Sequence, residues 1–94
     1  MNKLNEEQIT AALKLLSNWN LADGSIRKTF TTAGFPQTMG LATAICAICQ
    51  SRDHHPDYLT LKYSSVEVSF STHSVKGITE KDTGIAAEID KLNY

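Results

Sequence analysis

Residues 18–32 read NWNLADGSIRKTFTT and contain a strong signal for a two-residue hairpin turn. Asp23-Gly24 lies at its centre, and both positions of a type I′ turn require a positive φ, which these residue types tolerate. The pair predicts a hairpin turn between a strand near residues 18–22 and a strand near residues 25–32. In the second strand, alternating residues suit an antiparallel sheet buried on one face: Ile26, Lys28 and Phe30 alternate with Arg27, Thr29 and Thr31.

A helix is predicted before this hairpin. Asn5 and Gln8 match a capping box, and Leu4 can pack against Ile9 as a hydrophobic staple. One apolar face then recurs at helical spacing, formed by Ile9, Ala12, Leu13 and Leu16. Trp19 is expected to pack where this helix gives way to the sheet.

A second helix is predicted after Gly34-Phe35, because Pro36 suits a first helical turn, and it should end near Gln50 or Ser51. Its apolar residues nearly encircle it, with Met39, Ala42 and Cys46 on one side and Leu41, Ile45 and Ile48 on another. So wide an apolar arc is typical of a helix buried on more than its sheet-facing side. We therefore expect a second subunit to cover it, since a 94-residue chain has few elements of its own.

Two further strands and a third helix follow. Strand character occupies residues 58–63 and 66–72, with Ser64-Ser65 expected as the turn between them. The last helix begins at Thr79, where residues 79–82 match a capping box, and its buried residues are expected to be Ile85, Ala86, Ile89 and Leu92. The order α-β-β-α-β-β-α predicts an α+β two-layer sandwich, a four-stranded antiparallel sheet with helices on one face, as a single domain over residues 1–94.

Charge and hydropathy exclude several classes of function. The net charge is −1 with no basic cluster, so direct binding to nucleic acid or to an anionic membrane is not expected. The longest apolar stretch, residues 41–49, is too short to span a bilayer, and the N-terminus lacks the apolar run of a signal peptide. We expect a cytoplasmic protein whose two cysteines are thiols.

All three histidines fall near the second pair of strands. His54 and His55 lie in the loop after the second helix, where Pro56 favours an extended His55. His73 follows the last strand, directly after Thr72. Because the start of one hairpin strand lies beside the end of its partner, the pair and the single histidine are expected to meet at one edge of the sheet. Imidazole suits proton transfer near neutral pH, so this convergence favours an acid–base site over ordinary surface histidines.

The neighbours of these histidines have roles that the residues alone leave open. Asp53 and Asp57 flank the pair, and either carboxylate could orient a ring, although Asp beside Pro is also common turn chemistry. Asp82 could point at the same site, although its capping box is sufficient to explain it. Tyr58 could stack on a flat ligand or be a half-buried strand residue.

The two cysteines have the spacing of a redox motif. However, Cys46 and Cys49 lie toward the predicted C-terminus of the second helix, where the helix dipole opposes thiolate formation, so we expect inert thiols. A zinc site from Cys46, Cys49, His54 and His55 is an alternative by ligand type. Its spacing is not that of a usual zinc finger, and no second metal-binding half follows.

Three motifs in combination resemble one protein family. They are Asp53-His54-His55-Pro56-Asp57-Tyr58, Ser71-Thr72-His73 and Gly77-Ile78-Thr79-Glu80-Lys81-Asp82. Together they are similar to the pterin-4a-carbinolamine dehydratases, and a looser likeness extends upstream through Trp19, residues 26–30 and Phe35. The resemblance implies dehydration of 4a-hydroxytetrahydropterin to quinonoid dihydropterin in tetrahydrobiopterin recycling, with neither a metal nor an organic cofactor.

The resemblance also implies site residues and an assembly. The family's catalytic histidines map onto His54, His55 and His73, and we expect His55 and His73 to share the acid and base roles. The implied substrate-binding residues are Asp53, Pro56, Tyr58, Thr72, Ser74, Val75 and Asp82. Family members pair their sheets edge to edge and usually form tetramers through helices, which implies a homodimer or homotetramer.

The chain departs from the family pattern at Gln50, where many members carry glutamate. Without that carboxylate the neighbouring imidazole is less readily protonated, so we expect weaker activity or an optimum at lower pH. Tyr58 stands where tryptophan is frequent, which should preserve a stacking wall.

Two other functions stay open on the sequence. Some relatives stabilise dimers of a homeodomain transcription factor, so the fold could be a protein-interaction scaffold without catalysis. A pterin-binding protein of another pathway, such as molybdopterin metabolism, is the other alternative. The three histidines favour the enzyme, because a pure scaffold has no need of them.

Overall fold

The computed structural model describes residues 2–94 and confirms the predicted α+β architecture. Within these residues the elements, in chain order, are α1 (Glu6–Lys14), β1 (Asn20–Ala22), β2 (Ser25–Thr31), α2 (Phe35–Ser51), β3 (Tyr58–Lys62), β4 (Ser65–Phe70), a short 3-10 helix (His73–Val75) and α3 (Glu80–Ile89). The strands form one antiparallel sheet in the order β1-β2-β4-β3. No helix in residues 2–94 combines the length and the apolar character needed to cross a membrane.

The first hairpin has the turn that its sequence predicts. Asp23 and Gly24 have φ values of 52° and 77°, as a type I′ turn requires, and Ala22 pairs with Ser25. β1 is shorter than predicted, because Asn18 has a left-handed φ of 63° and lies outside the strand. The predicted hairpin is thus confirmed, with a shorter first strand.

The second hairpin turns one residue earlier than predicted, so the assignment of Ser64-Ser65 as its turn is wrong. Lys62 pairs with Ser65, which leaves Tyr63 and Ser64 as the two turn residues. The Thr38 hydroxyl donates to the Tyr63 carbonyl at 3.0 Å and ties this turn to α2. Tyr63 leaves the strand and stacks beside Phe35, with ring centroids 6.2 Å apart. Long-range contacts with α2 therefore fix a turn whose local sequence is ambiguous.

One face of the sheet packs against the helices. Ile26 pairs with Phe70 and Phe30 pairs with Val66, so the even-numbered residues of β2 and β4 share this face. The buried core consists largely of Ile26, Phe30, Val66, Val68 and Phe70 from the sheet, Leu41, Ile45 and Cys49 from α2, and Ile85, Ala86 and Ile89 from α3. Leu92, predicted to be buried, is only partly so and lies beyond the end of α3.

The opposite face of the sheet is polar, and we call it the open face. It carries the odd-numbered residues of β2 and β4 and their neighbours on β3, which in cross-strand rows are Arg27, Ser69 and Tyr58, then Thr29, Glu67 and Thr60, then Thr31, Ser65 and Lys62. The Tyr58 hydroxyl donates to the Glu67 carboxylate within this face. Both predicted capping boxes are also present, at Asn5–Gln8 in α1 and at Thr79–Asp82 in α3.

Asp90 ties the end of α3 to the first hairpin. Its carboxylate accepts hydrogen bonds from Lys28 Nζ at 2.8 Å, Trp19 Nε1 at 3.0 Å and the Ser17 amide at 3.1 Å. Burial acts to raise the pKa of Asp90, but these hydrogen bonds outweigh it and hold the pKa below its ordinary value. Trp19 is buried at the junction of α1 and the sheet, as predicted.

Candidate active site

The histidine pair is presented by a sharp reversal at the end of α2. Asp53 has φ 51°, a left-handed conformation that Asp adopts more readily than most residues. The His54 amide then donates to the Cys49 carbonyl at 3.0 Å, which satisfies one of the last carbonyls of the helix. This reversal directs the chain from α2 back to the start of β3, with His54 and His55 in the connecting loop.

His54 is the buried member of the pair. It is 9 % exposed, and its ring stacks on Phe70 of the core with centroids 6.3 Å apart and planes at 16°. Its Nε2 lies 2.6 Å from Oδ1 of Asp82. Apolar stacking on one side and a carboxylate on the other leave this ring little freedom to turn.

Asp82 is fully buried behind His54, at the N-terminus of α3. Its Oδ2 accepts from the Thr72 hydroxyl at 2.8 Å and from the Thr79 amide at 2.9 Å. The predicted capping box is therefore real, and the same carboxylate also holds the ring of His54. Asp82 connects the first turn of α3, the segment after β4 and the histidine pair.

His55 and His73 are the exposed members of the trio. His55 Nε2 lies 3.2 Å from Oε1 of Gln50, five residues earlier and near the end of α2. The side chain of His73 is 81 % exposed, and its Nε2 lies 2.8 Å from Oδ1 of Asp57. The loop that carries His73 is closed by hydrogen bonds between Thr72 and Gly77, at 2.7 Å from the Thr72 amide and 3.4 Å from the Gly77 amide. Both imidazoles are thus exposed, and each has a hydrogen-bond partner that limits its orientation.

The Asp57 carboxylate is held by hydroxyl groups from two strands and the segment that follows. Ser25 of β2 and Ser69 of β4 each donate to Oδ2 at 2.9 Å, and Ser71 donates to Oδ1 at 2.6 Å. Burial acts to raise the pKa of Asp57, but the hydrogen bonds from Ser71, His73, Ser25 and Ser69 outweigh it, so the pKa lies below its ordinary value. Asp57 is therefore an ionised acceptor at neutral pH.

One cleft of about 320 Å³ brings the three histidines together. It is lined by Asp53, His54, His55, Pro56, Ser71, Thr72, His73, Ser74 and Lys81. Of the other residues predicted to contact substrate, Tyr58 lies on the open face, Val75 lies in the 3-10 helix, and Asp82 lies behind His54. A larger surface hollow of about 660 Å³ along α1 contains no histidine among its lining residues.

Sequence reasoning missed Lys81 as a residue of the cleft and left Asp57 undecided against Asp53. Lys81 is the second residue after the N-cap Thr79, and its place in the first turn of α3 beside Asp82 was the available signal. Asp57, and not Asp53, orients a histidine because serines from β2 and β4 hold its carboxylate. Those serines lie up to 32 residues away in the chain, so no local sequence signal exists.

The cysteine alternatives find no support in the side-chain arrangement. Cys46 is exposed and Cys49 is buried, and burial followed by the proximity of Cys46 raises the pKa of the Cys49 thiol to about 11. That thiol stays protonated at neutral pH, which opposes redox chemistry. Within residues 2–94, no three His, Cys, Asp or Glu side chains are grouped to hold a metal ion, so the zinc site is not supported.

Comparison with known proteins identifies the family. Residues 2–92 match the family model described as pterin 4 alpha carbinolamine dehydratase. A Nitrosospira multiformis protein, provisionally named pterin-4-alpha-carbinolamine dehydratase, is 38 % identical over 92 residues, which are 98 % of this chain and 80 % of that protein.

Two solved structures share the fold. A transcriptional coactivator/pterin dehydratase from Brucella melitensis is 30 % identical with a TM-score of 0.88, over 94 % of this chain and 95 % of that one. A pterin dehydratase-like protein identified as a RuBisCO assembly factor of the alpha-carboxysome is 17 % identical with a TM-score of 0.65, over 80 % and 86 % of the two chains. The last likeness concerns the fold alone. The match over residues 2–92 and the identity to the Nitrosospira relative show that this chain belongs to the pterin 4 alpha carbinolamine dehydratase family.

Proposed function

We propose that the protein dehydrates a pterin 4a-carbinolamine to the quinonoid dihydropterin, as a step of tetrahydrobiopterin recycling. The observation that carries this proposal is the cleft itself, where imidazoles from two separate segments, His54-His55 and His73, line one space of about 320 Å³. That volume lies in the range of small-molecule sites. Membership of the dehydratase family supports the same reaction class.

The reaction needs one proton donor and one proton acceptor. Hydroxide is a poor leaving group, so an imidazolium donates a proton to the oxygen on C4a, and water departs. A neutral imidazole removes the proton from N5 as the C4a=N5 double bond forms. One proton enters and one leaves, so the reaction is balanced without another reactant. Positioned acid–base groups of this kind contribute about 10²–10⁴-fold to the rate.

We assign the acid and base roles to His55 and His73, because these two rings are exposed to the cleft. His54 is locked between Phe70 and Asp82, so we assign it a positioning role. Asp82 then acts through His54 and not by direct contact. Among the other predicted contacts, Asp53, Pro56, Thr72 and Ser74 line the cleft and are proposed to surround the pterin, together with Lys81.

Stopped-flow measurement of carbinolamine loss tests the proposal. We expect His55→Ala and His73→Ala each to slow dehydration by about 10²-fold or more. Asp23→Asn is a matched control, because it removes a carboxylate at a turn that Asn-Gly also favours and leaves the cleft intact. Both histidine variants dehydrating at the wild-type rate, in folded protein, would refute the mechanism. Wild-type protein that binds a pterin without dehydrating it would indicate a role in another pathway, and protein that does neither would indicate a scaffold.

We also propose that the protein is a homodimer or homotetramer that uses α2. This helix contains no charged residue, and Phe35 and Met39 are 50 % and 43 % exposed on it. Sedimentation should show an assembly larger than the 10.3 kDa chain, and Met39→Glu should shift it toward the monomer. Thr10→Glu on the exposed side of α1 is the control.

We propose the cytoplasm as the compartment, where the free thiols of Cys46 and Cys49 would stay reduced.

A further inference from the structure

Neither the loop before β3 nor the pairing of β3 explains why the side chain at position 57 is an aspartate. It precedes β3, and its amide donates to the Ser69 carbonyl at 2.7 Å, so its backbone is fixed by the sheet. The side chain is 17 % exposed and accepts four hydrogen bonds, three of them from serine hydroxyls. Ordinary turn chemistry uses an aspartate to accept from the backbone nearby. This carboxylate is instead directed at side chains.

The three serines lie on the open face, at the end of the sheet where Arg27, Ser69 and Tyr58 form a cross-strand row. Ser69 is an odd-numbered residue of β4, while Ser25 begins β2 and Ser71 follows β4 on the same alternation. They surround the Asp57 carboxylate with donors and leave one direction for a fourth partner, which is His73. We call Asp57 with Ser25, Ser69 and Ser71 the serine cradle.

The chemistry of the hydrogen bond fixes which ring nitrogen of His73 is free. An ionised carboxylate only accepts hydrogen bonds, so Nε2 of His73 must carry a hydrogen and donate it to Asp57. Imidazole has two ring nitrogens, and Nδ1 is the one that remains for a substrate. Hydrogen bonds from the cradle keep the carboxylate ionised and stationary, so the ring cannot exchange its nitrogens without losing this contact.

We propose that Asp57, held by the serine cradle, is a positioning residue that fixes the ring of His73 and presents its Nδ1 to the pterin. The proposal rests on the proposed function for its consequence in catalysis, while the fixed ring itself is a property of the free protein. Ser25 is 32 residues from Asp57 in the chain and does not line the cleft, so its hydroxyl would act on the reaction through this carboxylate.

Kinetics of the isosteric variant Asp57→Asn test the catalytic consequence. We expect kcat to fall by about 10- to 100-fold with KM changed by less than about twofold, because the ring is misplaced while the cleft keeps its shape. Asp57→Glu should recover part of the loss. Ser25→Ala should lower kcat by about two- to fivefold, whereas Ser65→Ala, at the far end of the open face, should not change it. Wild-type kcat in Asp57→Asn would overturn the proposal.

Nitrogen NMR of histidine-labelled protein tests the fixed ring without any substrate. At about pH 8.5, where an ordinary imidazole is neutral, His73 should carry its hydrogen on Nε2 alone, and Asp57→Asn should give a mixture of both tautomers. Identical ring-nitrogen shifts in the two proteins, or a hydrogen on Nδ1 in the wild type, would overturn it. If wild-type protein lacks dehydratase activity, the proposed function fails, and this NMR comparison still decides the role of Asp57.

Discussion

Two carboxylate–histidine pairs lie at the same end of the sheet, and they differ in almost everything except the contact itself. His54 and Asp82 are buried on the helix side, where the carboxylate also accepts from the Thr79 amide in the capping box of α3. His73 and Asp57 lie where the open face ends, and the imidazole is mostly exposed. The buried pair is part of the framework, whereas the exposed pair offers a ring to solvent and ligand. One kind of contact thus serves stability in one place and, as we propose, catalysis in the other.

The largest expected effect is a difference in unfolding free energy between variants of the buried pair and variants of the exposed pair. Asp82→Ala should lower the free energy of unfolding by about 2–4 kcal/mol, because it removes the carboxylate that the buried Thr72 hydroxyl, Thr79 amide and His54 ring all contact. Asp57→Asn should cost about 1 kcal/mol or less, since the amide retains an acceptor oxygen for the cradle. Urea unfolding measures both.

Asp90→Ala is the control for this comparison, because it breaks hydrogen bonds away from the cleft. It should lower stability while leaving kcat unchanged in the folded protein. Equal unfolding free energies for Asp82→Ala and Asp57→Asn would remove the distinction between a framework pair and an exposed pair.

Acid should weaken the exposed pair in a defined direction. The folded pKa of Asp57 lies below the ordinary value of 3.8, so its contribution to stability is complete above that pH and is lost as pH falls through the folded pKa. The stability difference between wild type and Asp57→Asn, of about 1 kcal/mol near neutrality, should therefore shrink toward zero between about pH 4 and pH 2. Urea unfolding as a function of pH gives this curve, and a difference that stays constant over that range would contradict it.

The smallest expected effect concerns His55, which has an amide where His54 and His73 have carboxylates. Gln50→Glu places a negative charge at the atom that lies 3.2 Å from His55 Nε2, and this charge favours the protonated ring. The pH of fastest dehydration should move upward by about half a unit to one unit. Gln37→Glu, near the other end of α2, is the control. Superimposable pH profiles for Gln50→Glu and wild type would show that Gln50 does not influence the reaction.

Local chemistry explains how much of the fold the sequence could predict. The two residues Asp23-Gly24 are enough to predict the type of turn. Four residues are enough to predict where a helix starts at each of the capping boxes that begin at Asn5 and Thr79. The second hairpin has no such pair, and its turn depends on the Thr38 hydroxyl of α2. A contact between distant residues outweighed the preference of serine for turns, and the strand ended one residue early.

The same distinction applies to the site. The meeting of His54, His55 and His73 follows from antiparallel pairing alone, so the cleft could be anticipated. The partners of these rings could not, because Asp53 and Asp57 are equivalent in sequence and differ only in the serines that the folded sheet supplies. Tyr58 could not be placed either, since its side chain follows the alternation of β3 onto the open face.

The proposed reaction requires that three imidazoles surround one planar heterocycle. Titration of carbon-labelled histidine protein with an unreactive dihydropterin, followed by NMR of the ring signals, measures this arrangement. We expect His54, His55 and His73 all to shift along one binding curve. A His73 signal that stays unmoved while the other two shift, or three signals that never move, would contradict it.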